Sequence, residues 1–142
     1  MVAEHDILPL LEKHRRHFHF IVPSGKGNDS IAPLDLSKNN LSFTDEIFND
    51  TDIFSNYINQ KRKDEKATYL VGGYKEIRNM YRRSKLFDEK EEPRSLHLGI
   101  DIWGEAGTKI YAPLGGIVDS FAYNNNYGDY GATIITASTG YI

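Results

Sequence analysis

The chain has 142 residues, 39% of them hydrophobic, with nine tyrosines, seven phenylalanines and a net charge near −3. That is about one domain's worth of sequence, apolar enough to bury a core and without the overall basic field that recruits nucleic acid. Cysteine is absent, so disulfides, thiolate zinc sites and cysteine nucleophiles are excluded, and any metal must be held by His, Asp or Glu.

Glu4 to Phe20 predicts a short helix, since Ile7, Leu8, Leu11, His14 and Phe18 fall near helical spacing and Pro9 is tolerated in a first turn. These opening residues carry too much charge for the apolar core of a signal peptide, and no apolar run reaches the ~20 residues that span a bilayer. The expectation is a cytoplasmic chain, or one without its export signal. Val22 to Asn28 breaks the helix, and the stretch to Asn40 is turn-rich. Within it, Gly25-Lys26-Gly27-Asn28-Asp29-Ser30 lacks the residue order of a phosphate loop and reads as a plain loop.

Thr51-Asp52 then supplies an N-cap, and Ile53, Phe54, Tyr57 and Ile58 form the apolar stripe of a second helix. Its last turn runs into Gln60-Lys61-Arg62-Lys63, cations suited to the negative end of the helix dipole. Ala67 to Val71 reads as a strand ending at Gly72-Gly73. Tyr74 to Tyr81 reads as helical, with Ile77 and Tyr81 on one face. Asp88 to Arg94 (DEKEEPR) is a charged, proline-containing linker, taken as the main boundary.

Beyond the linker, short β-like runs alternate with glycine turns: Leu98 to Ile102, Thr108 to Ala112, Gly116 to Ala122 and Gly131 to Thr136. Such spacing predicts an antiparallel sheet or sandwich rather than βαβ units. The fold class is therefore expected to be α+β. A mostly helical region (1–87) and the linker (88–94) would precede the opening strands of an antiparallel β domain (95–142). The tyrosine-rich stretch from Tyr123 to Tyr130 fits an exposed hairpin loop or the lining of a substrate groove equally well.

The chemistry-bearing candidates are His97 and Asp101, an imidazole and a carboxylate in the stretch HLGID. Both are good Zn²⁺ ligands. On a straight strand, residues four apart share a face but lie roughly 13 Å apart at ~3.3 Å per residue, too far for one ion. Convergence requires a bend, and Gly99, midway between them, is the residue that permits one. On spacing alone, such a pair is more often a surface pair or a turn-capping aspartate than a metal site.

Residues 97–135 carry further linked motifs: Gly107-Thr108-Lys109-Ile110-Tyr111-Ala112-Pro113, Gly115-Gly116-Ile117-Val118 and Tyr130-Gly131-Ala132-Thr133-Ile134-Ile135. In order and spacing this last third of the chain resembles the lysostaphin-like zinc metallopeptidases, peptidoglycan endopeptidases built on a duplicated-hybrid-motif domain. The resemblance implies that His97 and Asp101 are zinc-ligand positions and that Zn²⁺ is the cofactor. It also implies a peptidoglycan or other peptide substrate and a site of action in the cell envelope. Bound zinc would polarise the scissile carbonyl and lower the pKa of its water to about 7.

The same resemblance calls for a third ligand, the second histidine of a His-x-His pair, and for a further assisting histidine in a Tyr-x-His-Leu-like stretch. Both are expected downstream of residue 142, because the sequence has no histidine after His97. The expectation is a C-terminally truncated and catalytically inert metallopeptidase-like chain. Upstream, His17-Phe18-His19 is a His-x-His, but it ends a predicted helix, where residues two apart diverge by about 200°. The alternatives are a non-catalytic binding or regulatory module that keeps the fold, and a helical first half that covers the cleft.

Overall fold

The computed structural model describes residues 7–23, 30–78, 96–126 and 129–137. It is an α+β chain with small sheets: β1 (Ile31–Leu34), β2 (Tyr69–Gly72) and β5 (Ile102–Trp103) form one, β3 (Glu76–Ile77) and β4 (Leu96–His97) a second, and β6 (Ile117–Asn124) and β7 (Gly131–Ala137) a third. The chain divides into two compact units, Gly25–Gly107 and the remainder, Met1–Ser24 with Thr108–Ile142.

In the unit 25–107, β1 and β2 run parallel, with Ile31 opposite Tyr69 and Leu34 opposite Gly72. Parallel neighbours need a crossover, and α2 (Asp45–Asn49) and α3 (Thr51–Asp64) provide it. The β1 strand corrects the reading of the stretch to Asn40 as turn-rich throughout. Ile31-Ala32-Pro33-Leu34 alternates exposed and buried positions, so it is a strand despite its proline and short length. β2, by contrast, is covered on both faces, and β5 adds antiparallel to it, Leu70 opposite Trp103.

The core lies between this sheet and α3. Ala32, Leu34, Leu36, Ile58, Ala67 and Leu70 form its buried cluster, with Phe43, Phe54, Tyr57 and Trp103 packed against it. Phe54 and Trp103 meet edge to face at 5.2 Å between ring centroids, within the range where aromatic pairs gain beyond area burial. Ile58, Phe54 and Tyr57 of the expected stripe thus face the core, while Ile53 lies at its exposed margin.

The cap of α3 is one residue earlier than expected. The Asp50 carboxylate accepts hydrogen bonds from the Asp52 and Ile53 amides at 2.8 and 2.9 Å, satisfying two of the helix's unpaired donors. At the other end Lys66 adopts φ +50°, and the Lys66 and Ala67 amides donate back to Lys63 and Arg62 carbonyls. This is the Schellman arrangement with lysine where glycine is the low-strain residue.

Tyr74 to Tyr81 is not a helix where it is described. Tyr74 and Lys75 form a turn, with Lys75 at φ +60°, and Glu76–Ile77 enters a strand; residues 79–81 lie outside the described residues. β3 pairs antiparallel with β4, Glu76 opposite His97, and the linker 88–94 lies outside the described residues. Strands from its two sides, β3 with β4 and β2 with β5, are therefore hydrogen-bonded to each other.

In the other unit, α1 (Ile7–His14) gives way to a 3₁₀ turn over Arg15–His17, and Phe18 is already extended. The helix thus ends before the Phe20 expected, and residues 4–6 of that expectation lie outside the described residues. Residues 19–21 run beside 111–113 through two backbone bonds, His19 N–H to Pro113 and Tyr111 N–H to Ile21, both 2.8 Å. That pairing stands in place of the regular strand expected over Thr108 to Ala112. β6 and β7 form an antiparallel hairpin, as the alternation after Gly116 implied, with a bulge at Asp119. Gly131 at φ +66° lets the chain re-enter β7 after the turn. Tyr123 and Tyr130 stand exposed at the hairpin end.

Candidate metal site

The expected bend between His97 and Asp101 is present. The strand stops after His97, residues 98–101 are irregular with a bend at Gly99, and β5 begins only at Ile102. Gly99 is used for space: a Cβ there would sit 3.1 Å from both Cε1 and Nε2 of His97, closer than ordinary contact. The imidazole therefore folds back over the glycine. His97 Nε2 comes to 3.4 Å from Asp101 Oδ1.

That separation is informative. It exceeds the ~2.7–3.2 Å of a well-formed N–H···O bond. Two ligands held ~2.0–2.2 Å from a tetrahedral zinc lie ~3.3–3.6 Å from each other by geometry alone. One imidazole nitrogen and one carboxylate oxygen at this distance fit two corners of such a site. A complete catalytic set needs three protein ligands, and among the described residues no group of three or more His, Asp or Glu side chains could hold a metal ion. Of the upstream pair, His17 closes the 3₁₀ turn with its Nδ1 3.3 Å from Nδ1 of His14.

Asp101 is held from behind by a residue that the sequence pattern did not single out. Arg78, only 3% exposed, donates from Nη1 to Asp101 Oδ2 at 2.6 Å and from Nε to Glu76 Oε2. Glu76 in turn accepts the Leu36 amide on Oε1 at 2.9 Å. Burial alone would lower the Arg78 pKa, but its bonds to Asp101 and Glu76 outweigh that and hold it above its ordinary value. The guanidinium is therefore a fixed positive charge between two carboxylates, one of which is the candidate ligand.

Three strand ends converge to build this corner. Gly72 closes β2 and donates its amide to the Asp101 carbonyl at 2.9 Å, β3 carries Glu76, and β4 carries His97. A side chain at Gly72 would meet Arg78 Nη2 at 3.2 Å and Asp101 Cβ at 3.4 Å, so the glycine makes room for the ion pair. A helix reading of 74–81 hides Arg78, because Glu76 and Arg78 share a side of the chain only when it is extended. The available signal was Gly72-Gly73 followed by Glu76-Ile77-Arg78, an alternation of period two.

The Arg62 guanidinium of α3 pairs with Glu105 in the turn after β5 and pulls the Glu105 carboxyl below its ordinary pKa. A separate surface cavity of about 320 Å³ is lined by Pro33, Asp35, Asn40, Tyr57, Lys61 and Glu65, among others, with Lys61 and Glu65 paired at 2.9 Å. No helix among the described residues is long and apolar enough to cross a membrane. No protein-family model, curated protein or solved structure matches this chain.

Proposed function

We propose that this chain is a lysostaphin-like zinc metallopeptidase-type protein in which His97 and Asp101 supply the first two ligands of a Zn²⁺ site directed at peptide bonds of peptidoglycan. The observation that carries the reading is the 3.4 Å approach of His97 Nε2 to Asp101 Oδ1 over Gly99, the edge length of a zinc tetrahedron. The order of the glycine and proline motifs around the pair supports it. Zinc held there would supply Lewis-acid polarisation of a peptide carbonyl. His97 contributes a neutral imidazole nitrogen, and Asp101 contributes one carboxylate oxygen that partly offsets the charge of the ion.

With two donors the 142 residues are by themselves inert in hydrolysis. Zn²⁺ titration of the purified chain, followed through the His97 ring by NMR, is expected to show binding that His97→Ala and Asp101→Asn both abolish. Peptidoglycan turnover by the same chain is expected to be absent. Zinc binding indifferent to both substitutions would sink the metal reading. Zinc-dependent turnover would overturn the inertness. A chain that binds peptidoglycan without zinc would instead be a non-catalytic module.

A further inference from the structure

We propose that Arg78 is a positioning residue for the metal site, fixing Asp101 through Oδ2 so that Oδ1 alone is presented to His97 and the ion. This rests on the zinc reading of His97 and Asp101 given above. Arginine usually grips a carboxylate with two parallel bonds, one to each oxygen, a geometry that would occupy the whole group. Here the fork is used differently. Nη1 reaches only Oδ2, Nε is committed to Glu76, and the buried Nη2 has no hydrogen-bond partner among the described residues.

An unpaired donor on a buried cation is costly, and native structures keep one only where the surrounding geometry imposes it. The imposing geometry is visible. Leu36, 1% exposed, anchors Glu76 through its amide; Glu76 anchors Arg78; and the space above Gly72 receives Nη2. The result is a chain of contacts from the core to the site: both Glu76 oxygens are tied, Oε1 by the Leu36 amide and Oε2 by Arg78, whereas Arg78 ties only Oδ2 of Asp101. Asp101 thus acts as a one-oxygen ligand whose direction is decided by Arg78, with Oδ1 facing the imidazole at 3.4 Å.

The test is zinc affinity, measured on the 142-residue chain by NMR of the His97 ring alongside a thermal melt. Arg78→Lys keeps the buried positive charge but replaces the planar fork by a point charge, and it is expected to weaken Zn²⁺ binding about 10- to 100-fold, the usual cost of losing a partner behind a ligand. Ile58→Ala removes contacts from the buried cluster of the same unit and none of the hydrogen bonds of Arg78, Glu76 or Asp101. Its affinity is expected to stay within about threefold of the wild type, although its melting temperature falls. Should Arg78→Lys not fold, Gly72→Ala presses on Nη2 and Asp101 without removing a charge, and is expected to weaken binding about 3- to 10-fold.

Wild-type affinity in Arg78→Lys, or in Gly72→Ala where that is the variant measured, overturns the assignment. An equal loss in Ile58→Ala also overturns it, because the effect would then track stability rather than ligand direction. A wild-type chain whose zinc binding does not depend on His97 and Asp101 is a different failure. It removes the underlying metal reading, and this assignment with it.

Discussion

The β1–β2–β5 sheet and the β6–β7 hairpin are both written in apolar, β-branched sequence, yet among the described residues only one of them has a core. Leu70 in β2 is fully buried, beneath α3 and beside Trp103. Phe121 in β6 is 80% exposed, and its partner across the hairpin, Ile134, is exposed as well. Val118, Phe121, Tyr123 and Ile134 follow the alternation of a strand with one apolar face, but no described residue buries them. The contrast teaches that periodicity specifies a strand's conformation and its faces, whereas stabilisation comes from what lies across that face. A two-stranded hairpin is marginal in water without such a cover.

The largest effect is expected at Leu70. Leu70→Ala removes buried contacts at the centre of the sheet and is expected to cost about 2–5 kcal/mol. Urea unfolding followed by the fluorescence of Trp103, the single tryptophan, measures it directly. A loss below about 1 kcal/mol would mean that this core is loosely packed.

A smaller effect of opposite sign is expected at the end of α3. Lys66→Gly relieves a left-handed backbone at φ +50°, and the unfolding free energy is expected to rise by about 0.5–1 kcal/mol after the added flexibility of the unfolded chain is subtracted. A decrease would show that contacts of the Lys66 side chain outweigh the backbone strain.

The smallest change is expected in the hairpin. Phe121→Ser should leave the Trp103 transition within about 0.5 kcal/mol of the wild type, as exposed positions usually do. A shift as large as that of Leu70→Ala would show that Phe121 is covered in solution, and the two regions would then be alike.

Much of the fold was legible along the chain. The α3 stripe, the β2 run ending in glycine and the β6–β7 alternation all announce themselves, because each depends on a local period and a nearby cap or turn. Two of the errors are of one kind. Ile31–Leu34 was hidden by Pro33, and its pairing is parallel to a strand more than thirty residues away. Tyr74–Tyr81 contains apolar residues four apart, Ile77 and Tyr81, but Lys75 at φ +60° and the pairing of Glu76 with His97 draw its start into a strand. In both places long-range pairing overrides a local signal.

The candidate site divides along the same line. The candidate donors His97 and Asp101, the glycine between them and the lack of thiols are all read along the chain. So is the condition that the two side chains converge only through a bend. The folded chain shows that they do converge, at 3.4 Å. It also recruited Arg78 and Glu76, which no spacing rule links to Asp101 twenty-three residues away from the arginine. The reason is physical: a ligand's chemical identity belongs to its side chain. Its direction, and the charge set behind it, belong to whichever strands the rest of the chain brings alongside.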